Sequence, residues 1–300
     1  MSYLKSILQI VIFILFTTAF TFSLFEWFGV PRSFSFLNKQ APRDERGFDE
    51  FDASLSHINS MDKLENYVDM LYKEGNYDPN DASIYPELAE GVVRKRFYHG
   101  VSEYGAGRNY LAWLIAKGTG SDVNAIVLPD DIFKYSYALC SQQSLVMMEL
   151  LKRKGYSYRK VGFYSKESGS GHYAFEVKYG NKWHFFDPNM EPDAQLLNKN
   201  NRPGIAELVA DKSLLFSSYH HWKRDRIADL FPTYFYGKPN APIAPSATIF
   251  QRIAYVLSYS LWLFFVVAYI LVSRRVPAGR RNYVPQPSPA WYFNTAKSRA

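Results

Sequence analysis

The sequence contains a single cysteine, Cys140, followed about 30 residues later by His172 and about 15 residues further on by Asp187. A thiol, an imidazole and a carboxylate are the groups that thiol-dependent acyl transfer requires. The thiolate attacks a carbonyl, the imidazole moves the proton, and the carboxylate orients the imidazole. A lone cysteine can also be an inert buried residue, and a histidine near an aspartate can be structural. The chemistry therefore depends on whether the chain brings these three side chains together.

A β-hairpin is predicted around Gly180-Asn181, a two-residue turn signal between the runs HYAFEVKY and KWHFFD. This turn predicts that Ala174 lies opposite Asp187. His172 is then a diagonal neighbour of Asp187 on the same face, with the two Cα atoms ~7–8 Å apart. We therefore expect the imidazole and the carboxylate to lie within hydrogen-bonding reach.

The other face of the predicted hairpin is apolar and is expected to pack on the core. His184 belongs to this face, which separates it from His172. The apolar residues of this face are Tyr173, Phe175, Val177, Tyr179 and Phe186.

Cys140 begins the run CSQQSLVMMELLKRKGY, which is typical of a central helix that packs on several faces and ends at Gly155. A helix that starts at Cys140 would lower the pKa of the thiol through the positive end of its dipole. No proline or glycine separates Asp131 from Cys140, so the helix could also start near Asp130 and leave the thiol inside it. The polar side of the run carries Gln142, Glu149 and Arg153.

Together these segments resemble the transglutaminase-like superfamily of papain-fold cysteine enzymes, over roughly residues 110 to 190. LLKRKGYSYRKVGFY is similar to that family's helix end, glycine and following strand. HYAFEVKYGNKWHFFDP is similar to its pattern H-x-x-x-E-V…G-x-x-W-x-x-x-D-P. The matched residues are His172, Glu176, Val177, Gly180, Trp183, Asp187 and Pro188.

This resemblance implies an α+β fold with a papain-like, transglutaminase-like core, in which a central helix packs against an antiparallel sheet. It also implies that Cys140 is the nucleophile, His172 the general base and acid, and Asp187 the orienting carboxylate. The family takes its oxyanion donor from an upstream side chain. The candidates here are Tyr135, Tyr137 and Asn124.

Two apolar runs without acidic or basic residues, 6 to 25 and 253 to 272, flank this region, and each has about the ~20 residues that a membrane-spanning helix needs. The alternative for the first run is a cleaved signal peptide, although no A-x-A site follows it. The alternative for the second is a buried core helix. The basic flank of the second run favours a membrane span with a cytoplasmic C-terminal end.

The net charge of +7 at first suggests a nucleic-acid-binding protein, but the distribution of the charge argues against it. Six lysines and arginines lie in residues 274 to 300, Arg252 adds one, and residues 31 to 248 are neutral. A neutral domain with a basic tail is a poor nucleic-acid footprint. We therefore expect a two-pass protein of a cell membrane, bacterial in type and in the inner membrane, with cytoplasmic termini and a periplasmic or extracytoplasmic domain.

The domain organisation follows from these segments. We expect an N-terminal transmembrane anchor (1–29), a linker (30–57), a transglutaminase-like extracytoplasmic domain (58–240), a second linker with the second transmembrane helix (241–273), and a basic cytoplasmic tail (274–300).

The function expected from the resemblance is thiol acyl transfer on an extracytoplasmic peptide, protein or cell-envelope amide. Release to water would make the chain a protease or amidase, and release to an amine an acyltransferase. Two alternatives stay open: a catalytically inactive module that binds or scaffolds a membrane or envelope assembly, and a structural membrane protein. No cofactor, metal or nucleic acid is expected, because His220-His221 has no accompanying ligand cluster and GAGRNY and GTGSD lack the context of phosphate loops.

Overall fold

The computed structural model describes residues 2–38, 46–167 and 169–274, and it shows a mixed α+β chain. The helices are α1 (Ser2–Phe28), α2 (Met61–Glu74), α3 (Ile84–Arg96), α4 (Tyr110–Thr119), α5 (Pro129–Ile132), α6 (Cys140–Arg153), α7 (Ala194–Lys199), α8 (Ile205–Ala210), α9 (Lys212–Ser218), α10 (Arg224–Leu230) and α11 (Pro245–Arg274). The strands are β1 (Tyr98–His99), β2 (Tyr137–Ala138), β3 (Ser157–Tyr164), β4 (Gly171–Tyr179), β5 (Lys182–Phe186) and β6 (Phe235–Tyr236), and 3₁₀ turns lie at Arg32–Asn38, Ala53–His57 and Phe231–Thr233.

Helices α1 and α11 are each long and apolar enough to cross a membrane, over Tyr3–Phe28 and Pro245–Arg274. They contain the two apolar runs that the sequence analysis singled out. The basic tail that follows lies outside the described residues from position 275 onward.

The chain divides into two compact units. The first consists of Met1–Thr18 and Trp262–Ala300. In it the rings of Phe16 and Trp262 meet edge to face, and the Gln9 amide donates to the Ser273 hydroxyl at 3.1 Å. The second unit is Ala19–Leu261 and contains the sheet and its helices.

A four-stranded antiparallel sheet, in the order β5-β4-β3-β6, forms the centre of the second unit among the described residues. The predicted hairpin register is confirmed, since Phe175 pairs with Phe186 and Tyr179 with Lys182. Gly180 and Asn181 have φ values of 52° and 61°, as a tight turn that matches the twist of the flanking strands requires.

Helices cover both faces of this sheet. On one face α6 packs against β4, with Phe175, Val177 and Phe186 in the same core as side chains of α2 and α3. The other face carries a second core around Phe163 and Phe185, covered by side chains of α8, α9 and α10. The sequence pattern indicated only the first of these cores, because α8 to α10 are six or seven residues long and show little periodicity.

Part of the segment expected to be a linker packs on the domain. Leu55 is buried in the core that contains α2 and α3. The Asp52 N–H donates to the Lys95 carbonyl at 2.8 Å at the end of α3. Residues 39 to 45, which belong to the same predicted linker, lie outside the described residues.

Candidate active site

The hairpin brings His172 and Asp187 together. His172 is the second residue of β4, and Asp187 directly follows β5. The His172 Nε2 atom lies 2.8 Å from Asp187 Oδ2, and both residues are buried. The diagonal cross-strand contact expected from the turn is therefore present.

The Asp187 carboxylate has two further donors. The Met190 N–H donates to Oδ1 at 3.1 Å, and the Tyr219 hydroxyl donates to Oδ2 at 3.0 Å. Burial alone would raise the pKa of Asp187, but the His172 ring and these donors outweigh it and hold the pKa below its ordinary value. The carboxylate is thus kept ionised although it is fully buried.

Helix α6 begins at Cys140, so the thiol lies in its first turn and not within a longer helix. The reason is long-range: β2 pairs in parallel with β1, with His99 opposite Ala138, and this pairing holds residues 137 and 138 in an extended conformation. A thiol at this position is exposed to the positive end of the helix dipole.

The thiol also contacts the histidine. The His172 ring and the Tyr173 N–H are the groups near Cys140 that favour its thiolate form. Burial raises the pKa of the Cys140 thiol, but these contacts outweigh it and lower the pKa overall. Because Nε2 faces Asp187, Nδ1 is the ring nitrogen left for the thiol.

The imidazole is held in its charged form. Burial would lower the pKa of His172, but the Asp187 carboxylate and, to a smaller extent, the Cys140 thiolate raise it to about 10. The thiol pKa falls and the imidazole pKa rises, which is the signature of a thiolate–imidazolium pair.

A buried glutamine fixes the start of α6. Gln142 Oε1 accepts from the N–H groups of Ser102 and Leu139, both at 3.0 Å. Its Nε2 donates to the carbonyls of Ser102 at 2.7 Å and Ile126 at 2.9 Å. The prediction that Gln142 lies on the polar side of the helix is wrong: the residue is only 4% exposed, and its amide makes all four hydrogen bonds inside the domain.

No match to this chain is found among protein-family models, curated proteins or solved structures. The geometry of the site therefore carries the functional argument.

A second group of residues that the sequence analysis missed holds the loop after Asp187. The buried Glu90 accepts from the Asp187 N–H at 3.3 Å and pairs with Arg94 at 3.1 Å and Arg202 at 2.8 Å. Arg94 also donates to the Pro192 carbonyl at 2.8 Å. This network fixes both ends of the loop, and its members come from segments far apart in sequence, so no local pattern reveals it.

Two of the matched motif residues have structural roles. Glu176 accepts from Arg159 Nε at 2.6 Å and from the Ile205 N–H at 2.7 Å, which ties β4 to β3 and to the start of α8. The Arg159 guanidinium also lies over the ring of Trp183, at 4.4 Å from its centroid.

The remaining candidates from the sequence are Tyr135, Tyr137, Asn124 and the pair His220-His221. The Tyr135 hydroxyl donates to the Glu103 carbonyl at 2.7 Å. Tyr137 and Asn124 are buried. The ring of His221 stacks on Phe48, and no group of three or more His, Cys, Asp or Glu side chains within the described ranges is arranged to hold a metal ion.

Proposed function

We propose that this chain is a membrane-anchored thiol acyl-transfer enzyme with a transglutaminase-like, papain-like fold, acting on a peptide or other amide outside the cytoplasm. The observation that carries the proposal is the position of His172 between a carboxylate and a thiol that starts a helix. The packing of α6 on β4 supports the fold, because it joins the nucleophile's helix to the strand that bears the histidine.

The reaction uses the three side chains in sequence. Cys140 Sγ forms a bond to the substrate carbonyl carbon, and the carbonyl oxygen takes up the negative charge. The C–N bond then breaks, and the His172 imidazolium gives its proton to the leaving amine. Water or a second amine attacks the thioester, His172 takes the proton from this attacking group, and the C–S bond breaks.

The backbone N–H of Cys140 is the proposed oxyanion donor. Amide groups in the first turn of a helix have no intrahelical acceptor, and those of α6 lie at the thiol. Such donors stabilise the charge that develops on the carbonyl oxygen.

Alkylation of the full-length protein in detergent tests the proposal without a known substrate. Cys140 is the only cysteine, so iodoacetamide labelling reports on it alone. A thiolate–imidazolium pair should react fast at about pH 6, where an ordinary thiol with a pKa near ~8.5 is almost fully protonated. His172→Ala should restore ordinary thiol titration, and Asp187→Asn should shift the profile less in the same direction.

His184→Ala is the matched control. His184 has the same 8% exposure as His172, but its ring bonds to the Arg202 and Tyr179 carbonyls. Its loss should leave the pH profile of labelling unchanged. If the wild-type thiol reacts only above about pH 8 and His172→Ala has no effect, the catalytic proposal is wrong, and a non-catalytic binding module takes its place.

A further inference from the structure

Helix α4 is apolar around most of its circumference. Residues 110 to 116, YLAWLIA, contain no charged side chain. Ala112 and Ala116 pack into the domain, while Leu114 and Ile115 are 40% and 41% exposed. A helix on a water-soluble domain has a polar outer face, and a helix that is hydrophobic all round is normally buried or in contact with lipid. An apolar neighbour would therefore bury the exposed surface of this leucine and isoleucine.

The start of α4 is fastened to α1. The Glu26 carboxylate accepts from the Tyr110 N–H at 2.8 Å, which caps the helix N-terminus. The ring of Phe22 stacks on Tyr110 at 5.1 Å and also contacts Trp113 at 6.1 Å. The part of α1 involved belongs to the same compact unit as α4.

The start of α4 is also fastened to α11. The Leu111 N–H donates to Ser258 Oγ at 3.2 Å, and the Asn109 amide donates to the Gln251 carbonyl at 2.9 Å. Ser258 is fully buried, but its neighbours Val256 and Leu257 on α11 are 65% and 42% exposed. The start of α4 therefore packs on the stretch of α11 that carries these exposed apolar residues, and α11 is long and apolar enough to cross a membrane.

We propose that α4 is a third membrane-contacting element, which lies in one leaflet with Leu114 and Ile115 against the acyl chains. This inference rests on the membrane anchoring in the proposed function. Ten residues span only ~15 Å, too short to cross a hydrocarbon core of ~30 Å. Lys117 in the last turn can extend its ammonium to the headgroups, and Gly120 ends the helix with a φ of 67°.

Nitroxide accessibility in vesicles tests the assignment. In full-length Cys140→Ser protein, single cysteines are placed at Leu114 and Ile115, and spin labels are attached after reconstitution into phosphatidylcholine–phosphatidylglycerol vesicles. Met70 on α2, which is 41% exposed, is the matched water-facing control, and Val267 on α11, which is 54% exposed, is the lipid-facing control. The spin labels at Leu114 and Ile115 should behave like the label at Val267. Molecular oxygen should collide with them more often than a water-soluble nickel chelate does.

Three other results would overturn the inference, and they differ from one another. If the α4 labels match Met70 while Val267 reports lipid, α4 faces water and the anchoring stands. If the α4 labels collide with neither reagent, the helix is covered by a protein surface and not by lipid. If Val267 itself reports water, the membrane anchoring in the proposed function fails together with the inference.

Discussion

Two groups share one oxygen of the Asp187 carboxylate: the His172 ring at 2.8 Å and the Tyr219 hydroxyl at 3.0 Å. Tyr219 touches neither the thiol nor the ring through any hydrogen bond among those described, so it acts on the site through the carboxylate. A hydroxyl donor stabilises the charged form of a buried carboxylate. The tyrosine thereby helps to keep Asp187 ionised at pH values where the thiolate–imidazolium pair is needed.

Tyr219→Phe should raise the pKa of Asp187 and move the acid limb of Cys140 alkylation to higher pH. Once Asp187 is protonated, the imidazolium loses the charge that stabilises it, and the thiol regains its proton. The rate of iodoacetamide labelling between about pH 4 and 8 measures this shift, since the ordinary pKa values of an aspartate and a thiol, ~3.9 and ~8.5, bracket that range.

Tyr104→Phe is the control for lost packing. Tyr104 is as buried as Tyr219, and its hydroxyl donates to a carboxylate elsewhere, that of Asp131, at 2.6 Å. Both variants should lose about 1–2 kcal/mol of unfolding free energy, because each leaves a carboxylate one donor short. Only Tyr219→Phe should move the pH profile. Equal profiles for the two variants would contradict a positioning role.

The coupled thiol and imidazole predict an unusual dependence of stability on pH. Between the ordinary pKa of histidine, 6.5, and that of a thiol, ~8.5, the unfolded chain holds one proton, on the cysteine. The folded pair also holds one, on His172, whose pKa is raised to about 10. Equal proton numbers mean that this pair contributes no slope to stability in that window.

Cys140→Ser should create a slope there. His172 is then raised by Asp187 alone, so the folded state holds a proton that the unfolded state lacks, and stability falls as pH rises above 6.5. The difference in unfolding free energy, wild type minus variant, should grow by up to about 1.4 kcal/mol per pH unit. Denaturant unfolding followed by tryptophan fluorescence at several pH values measures it. Parallel curves would mean that the folded thiol keeps its proton.

At the level of elements, the position of Cys140 depends on one buried side chain. Gln142 bonds to Ser102 and Ile126, which are 40 and 16 residues away in sequence. These bonds hold the first turn of α6 against segments from outside the helix. A displacement of this turn would move the thiol relative to β4.

Gln142→Ala should therefore destabilise the domain by about 3 kcal/mol or more, since it leaves several buried backbone groups without partners at ~1–3 kcal/mol each. Gln143→Ala is a neighbouring control, because the Gln143 amide makes one hydrogen bond, to the Ala138 carbonyl at 3.1 Å. Its cost should be closer to about 1 kcal/mol. The denaturant midpoints of the two variants measure the loss of unfolding free energy in each. Equal losses would contradict the role given to Gln142.

The elements also explain which features the sequence could predict. The hairpin register depends on a two-residue turn and an alternation of period two, both local, and these sufficed to predict the contact between His172 and Asp187. The start of α6 depends on the pairing of β2 with β1, and no local breaker marks it. Tyr219 reaches Asp187 from 32 residues away, after short helices whose apolar faces are too brief to recognise.

At the scale of the whole molecule, polar side chains join α11 to the domain. Gln251 is fully buried; its Oε1 accepts from the Val127 N–H at 3.0 Å, and its Nε2 donates to the Ala125 carbonyl at 2.6 Å. The Ser23 hydroxyl of α1 donates to the Ser258 carbonyl at 2.7 Å. Residues 19–28 and 245–261 thus belong to the same compact unit as the candidate site.

In the proposed two-pass topology, the direction of α11 across the membrane decides which side of the membrane holds the site. Arg274, Arg275, Arg280 and Arg281 follow the apolar run 253 to 272, and positively charged residues next to a span favour the cytoplasmic side. The domain between the two helices should then lie outside the cytoplasm, and both termini inside.

In intact cells expressing the Cys140→Ser protein, a membrane-impermeant maleimide should label Lys199→Cys, at the exposed end of α7. Ser298→Cys in the tail should be labelled only after permeabilisation. The reverse pattern would place the thiol in the cytoplasm and contradict both the two-pass topology and an extracytoplasmic substrate.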